Sequence, residues 1–268
     1  IIPSDYFNPL LYTGNGGTQS ITSLNFKPDF TWIKAREASS SHALFDSVRG
    51  VYNIISSEST SDQSNLSPNG LTAFNNDGFT VKDIASGGNG VNGSAGGTYS
   101  GTNAEYVAWN WYAPTSETNN AGANGASVTS TIKKNVDAGF SIVKWTATNT
   151  TNTIGHGLSS PPELILIKSL DVSGNWQVYA EPIGNNFKLV LDLPDIAGST
   201  TRFGGASPTS SVFTFKDNGL SGDIIAYAFH SVDGMSDIGS YVGTSAIGNS
   251  IVTGFRPAFV MVKSSSNS

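Results

Sequence analysis

The sequence contains no cysteine, so disulfides and thiolate metal sites are excluded and stability must come from packing or association. Charged residues are scarce at 13%, about half the share of an average domain. That shortage argues against long surface helices, which draw on Glu, Lys and Arg. There is no cluster of lysines or arginines, and the net charge is -6, which leaves nucleic acid out as a partner. No apolar run reaches the roughly 18 residues of a membrane helix, so no membrane insertion is expected. The first residues, Ile1-Ile2-Pro3-Ser4-Asp5, carry neither a Met nor a signal peptide. The chain therefore reads as a piece of a longer protein.

What is present is aromatic and β-forming. Hydrophobic residues make up 38%, with 14 Phe, 9 Tyr and 5 Trp, enough for sizeable cores. Ser, Thr, Asn and Gly supply the polar surface and the turns. One short pattern occurs three times: a Pro, an apolar run and a closing Lys. It spans residues 28–34, 162–168 and 257–263, and an aromatic residue (Tyr12, Trp145 or Tyr241) stands 16 or 17 positions before each Pro. Between the first two copies the match extends further. Phe45 and Tyr179 each follow the closing Lys by eleven residues, and Gly50 and Gly184 by sixteen. Phe79-Thr80-Val81 matches Phe213-Thr214-Phe215, and residues 106–111 match 224–229. This is the signature of an internal repeat.

Apolar stretches recur every eight to fifteen residues with turn chemistry between them, the pattern of sandwiches and barrels. Asp77-Gly78 marks a hairpin between residues 71–74 and 79–81. Residues 105–112 alternate, with Tyr106, Ala108, Asn110 and Tyr112 on one face and Val107, Trp109 and Trp111 on the other. The expected fold is all-β: tandem, jelly-roll-like β-sandwich domains. Residues 1–113 form the first, 114–137 a Ser/Thr/Asn/Gly/Ala-rich linker, 138–234 the second, and 235–268 the opening strands of an incomplete third.

Candidate chemistry is thin. Residues 88–93 fit a G-x-G-x-x-G pattern, but Ser, Gly and Thr follow where a dinucleotide site needs a helix, so a plain loop is expected. His42, His156 and His230 are the only histidines, and they lack metal-ligand spacing; His156 sits between two glycines. No G-x-S-x-G elbow marks a serine hydrolase. Asp46, Asp77, Glu105, Glu181, Asp192 and Asp195 are the acids that could pair for glycoside cleavage, but most fall at turns or strand ends where solvated acids are ordinary. Trp32, Trp109, Trp111, Trp145 and Trp176 could stack on sugars. Four of the five stand where another copy has a bulky apolar or aromatic residue, so core packing is the expected role. Lys34, Lys168 and Lys263 are expected to end buried strands and reach solvent as edge gatekeepers.

Residues 26–34, 44–50, 71–79, 106–111, 155–162 and 254–263 together carry a family resemblance. The chain resembles repeat-containing virion proteins of tailed bacteriophages, of the marine and cyanophage type. The resemblance implies a virion location and a structural or adhesive role rather than an enzymatic one. A tail fibre or host-attachment component would bind host surface polysaccharide and other virion proteins, and assemble as a homo-oligomer such as a trimer. Two rival expectations are a capsid decoration or head-fibre protein and a polysaccharide depolymerase. The resemblance implies no cofactor, metal or catalytic residue. Residues 86–102, the longest polar loop, are where a receptor-facing surface is expected.

Overall fold

A computed structural model describes residues 1–37, 39–83, 90–93 and 104–266. The described chain is all-β, with three single-turn 3-10 helices and no α-helix. Its first half contributes β1 (Phe7–Thr13), β2 (Thr18–Thr22), β3 (Phe30–Ala35), β4 (Ala43–Asp46), β5 (Asn53–Ile54), β6 (Ser64–Asn65), β7 (Gly70–Asn75), β8 (Gly78–Lys82) and β9 (Glu105–Trp111). The second half contributes β10 (Thr115–Asn119), β11 (Ser130–Asn135), β12 (Phe140–Thr146), β13 (Thr151–Gly155), β14 (Leu164–Ser169), β15 (Gln177–Ala180), β16 (Phe187–Val190), β17 (Gly198–Ser199), β18 (Val212–Lys216) and β19 (Asp223–Phe229).

The strands form two large antiparallel sheets and three small ones. The first large sheet runs β1-β9-β3-β4, and the second runs β10-β11-β12-β19-β14-β15-β16-β17. Inside the second, β12-β19-β14-β15 has the same order as the whole of the first, and the registers agree position by position. Phe7 faces Trp111 as Phe140 faces Phe229; Phe30 faces Asp46 as Leu164 faces Ala180. The small sheets follow suit, with Ile21 opposite Phe79 in β2/β8 and Ile154 opposite Phe213 in β13/β18.

Strand alternation sorts the apolar side chains into three cores. One face of the first sheet (Tyr12, Ile33, Phe45, Tyr106) packs on Ile21, Leu71, Phe79 and Val81 of β2-β8-β7. One face of the second (Val143, Trp145, Ile165, Ile224) packs on Ile154, Phe213 and Phe215 of β13-β18. The remaining two faces meet each other in a shared aromatic core. There Phe30 stacks on Tyr227 at 4.3 Å and on Phe140 at 6.1 Å, with Trp111, Leu166 and Trp176 around them. The two halves are therefore joined through their sheets, not strung apart.

That packing corrects the expected linker. Residues 114–137 contain β10 and β11, which extend the second sheet beyond β12 with Ile132 opposite Val143. The polar composition concealed them because Ile132, 1% exposed, is the one large apolar residue along β11, while the buried Ser130 and Asn135 bond to backbone groups. Residues 235–266 differ as well. The opening strands expected of a third domain are not present among residues 235–266; most of this segment makes no strand pairing. A strand pattern becomes a strand only where a neighbouring edge supplies its hydrogen bonds. Phe259 still packs inward, against Trp109 at 5.4 Å and Trp111 at 5.7 Å.

The repeated lysines also depart from expectation. β3 and β14 are interior strands, so there is no edge to guard. Lys168 is fully buried, and its ammonium donates to the carbonyls of Thr60 and Gly174, the latter six residues ahead. Lys34 donates to the carbonyl of Ser40, likewise six residues ahead, at 2.7 Å. Both lysines thus tie off the turn that follows their strand. Lys263 reaches instead to the Leu193 carbonyl of the second half.

Candidate functional site

The hairpin and strand pairings place two tryptophans side by side on the first sheet. Trp32 on β3 is directly opposite Trp109 on β9, with ring centroids 6.2 Å apart. The corresponding pair of the second sheet is Leu166 opposite Tyr227. That pair is sealed in the shared core because Trp176, with 0% exposure, lies over Tyr227 at 6.3 Å and donates its indole N–H to the Ser56 carbonyl. Trp176 follows Lys168 by eight residues; eight residues after Lys34 stands His42. An imidazole is too small to fill the space of an indole. A cleft of about 410 Å³ opens there, lined by Trp32, His42, Ser57, Glu58, Trp109, Leu191 and residues 258–261.

The polar rim of the cleft is fixed from the backbone upward. The Trp32 indole N–H donates to Nδ1 of His42 at 2.8 Å. The His42 backbone N–H donates to both Glu58 carboxylate oxygens, at 3.1 and 3.2 Å. In the second half the Trp176 backbone N–H donates to Asp192 in the same way, and both acids lie 16 residues beyond their donor. Glu58 thus anchors a loop, as Asp192 does, but Glu58 is also exposed to the cleft. Burial pushes the His42 imidazole below its ordinary range, with Glu58 acting against that shift and Lys34 with it. Trp109 is half-buried, and its indole N–H meets no acceptor among the described residues.

Of the five tryptophans, Trp145 and Trp176 are wholly buried and Trp32 and Trp111 nearly so, in keeping with core packing. Trp109 also packs against the shared core but is only partly buried, and it lines the cleft. The six weighed acids do not line the cleft. Asp46 is not a solvated acid at all: it is fully buried, takes the guanidinium of Arg49 at 2.5 Å and accepts the Tyr227 hydroxyl at 2.7 Å across the two halves. Asp192 anchors the Trp176 loop, Glu105 pairs with Arg36 at 3.6 Å, and Asp77, Glu181 and Asp195 are exposed.

His156 is fully buried: its Nε2–H donates to the Thr209 carbonyl, while Nδ1 accepts the Leu158 N–H. His230 is 8% exposed beside Ser231. Among the described residues no three His, Cys, Asp or Glu side chains gather as a metal set. Of residues 88–93, Gly88 and Asn89 lie outside the described residues, as does most of the 86–102 loop; Val91 and Asn92 are buried, and the Val91 carbonyl accepts the Tyr12 hydroxyl. No helix of the described chain is long and apolar enough to cross a membrane.

Sequence reasoning overlooked Glu58 and the role of His42. The signal was there: His42 and Trp176 follow the matched lysines by the same eight residues, and Glu58 and Asp192 by the same 24. A small polar ring at a matched bulky position marks a place where the core is left open. No curated protein and no solved structure matches the chain. A family model described as a domain of unknown function, DUF7483, matches residues 2–268, and the chain belongs to that family.

Proposed function

We propose that the protein is a non-enzymatic structural and adhesive component of a tailed-phage particle, binding host surface glycan through the Trp32–Trp109 cleft. The observation that carries the glycan reading is the partly exposed Trp109 ring beside a fixed donor–acceptor rim of His42 and Glu58. Flat apolar sugar faces stack on indole, and sugar hydroxyls need polar partners at the rim. Glycoside cleavage by paired carboxylates needs a second acid roughly 5 to 9 Å away. Among the described lining residues Glu58 stands alone, which favours binding over cleavage.

The particle assignment rests on the family resemblance carried by residues 26–34, 106–111 and 254–263. Matching registers in the two halves support reading them as copies of one unit, as expected of a protein built by repetition. Eight of the exposed large apolar residues fall between 241 and 262, which favours association with further copies or other virion proteins. The test is retention on immobilised host-surface polysaccharide. Wild type is expected to be retained without shortening the polymer, and Trp109→Ala to be lost. Chain shortening would establish an enzyme instead, and retention of Trp109→Ala would place binding elsewhere. Gold-labelled antibody on intact virions is expected to mark the tail; label on the head would replace the fibre by a coat protein.

A further inference from the structure

The rim of the cleft carries one negative charge and no cation. Glu58 forms no ion pair among the described residues, and no Lys or Arg lines the cleft. The nearest positive group acting on His42 is Lys34, whose ammonium is spent on the carbonyls of Ala35 and Ser40. His42 is held in one tautomer. Because Nδ1 accepts the Trp32 N–H, the ring proton resides on Nε2, which meets no described acceptor. The Glu58 carboxylate takes the His42 N–H and the Ser57 hydroxyl, at 3.4 Å, leaving lone pairs toward solvent. The polar set toward the cleft is thus one neutral N–H donor, one anionic acceptor and the indole N–H of Trp109, beside a Trp109 ring that Phe259 meets edge-on at 5.4 Å.

We infer that this cleft selects an uncharged, hydroxyl-rich sugar and rejects acidic ones. The inference rests on the glycan-binding reading above. An uncharged hexose places its apolar face on Trp109, donates a hydroxyl to Glu58 and accepts from His42 Nε2–H. A uronic acid or sulfated sugar brings a second negative charge beside Glu58, with no cation in the lining to offset it. His42 and Glu58 are then specificity-determining residues, and Trp109 is the stacking platform.

The experiment is a tryptophan-fluorescence titration of the whole chain with neutral hexasaccharides of glucose, mannose and galactose and with hexagalacturonic acid. At least one neutral probe is expected to bind at least tenfold more tightly than the acidic one. Glu58→Gln should narrow that gap by admitting hexagalacturonic acid. Trp109→Ala and His42→Trp should each abolish binding, the second by filling the space that Trp176 fills in the other half; thermal melts show whether each variant is folded. If hexagalacturonic acid binds as tightly as the neutral probes and Trp109→Ala removes both, the selectivity is wrong while the glycan cleft stands. If no probe binds, or both cleft variants bind unchanged, the selectivity and the glycan reading fall together.

Discussion

His156 offers a direct way to weigh a buried polar group in this fold. It sits at the end of β13, fully enclosed, with both ring nitrogens engaged by backbone groups. Burial, the largest cause, pushes its pKa down from 6.5 to about 4, and the nearby charges of His230 and Lys134 act the same way, against the Thr209 carbonyl. The unfolded chain therefore takes up a proton near pH 6.5 that the folded chain refuses until pH 4. Stability from the neutral ring is fully present above pH 6.5 and drains as pH falls toward 4. At 1.36 kcal/mol per pH unit this amounts to about 3 kcal/mol. His156→Gln retains a donor toward Thr209 but cannot titrate. Urea unfolding of both proteins from pH 7.5 to pH 4 isolates the effect, since carboxylates contribute equally to each. The wild type is expected to lose about 3 kcal/mol more than the variant across that range. Parallel curves would refute the reasoning, because His156 would then be titrating normally or be accessible to solvent.

Arg49→Met strips the cation from Asp46, a carboxylate with no exposure that also holds Tyr227 of the other half. A loss of about 3–5 kcal/mol is expected in chemical denaturation, with both halves still unfolding in one transition because their faces share a core. Two separate transitions would contradict that shared core. Gly78→Ala would put a methyl carbon 1.9 Å from the Ile21 carbonyl oxygen at the β7–β8 turn. The Tm is expected to fall by several degrees, with loss of the β2/β8 pairing seen as faster amide exchange along 18–22. Lys168→Met leaves the Thr60 and Gly174 carbonyls without their shared donor. It is expected to cost about 1–3 kcal/mol by urea titration; an unchanged midpoint would mean that solvent reaches those carbonyls. His42→Trp is expected to raise the Tm by closing the cleft, and a lowered Tm would show that the position cannot hold an indole.

Several elements were legible because they are local. The Pro-to-Lys runs at 28–34 and 162–168 appear as β3 and β14, and Asp77-Gly78 closes the β7–β8 hairpin with Asn75 opposite Gly78. The alternation through residues 105–111 reappears as the two faces of β9, one burying Tyr106 and Ala108, the other offering Trp109 and Trp111 to the shared core. β10 and β11 were not legible. β10 is an edge strand and needs little apolar content, and β11 carries one large apolar residue; their pairing follows from β12, on which β11 and then β10 add. The buried trio of Asp46, Arg49 and Tyr227 spans 181 residues and leaves no local trace.

Local patterning is enough to make the chain all-β and to place most interior strands, since periodicity and turn chemistry act over a few residues. The tertiary structure decided which matched positions are sealed and which stay open. Tyr227 lies under Trp176, whereas Trp109 faces a cleft beside His42, because the two sheets meet face to face and only one of them brings an indole to cover its neighbour.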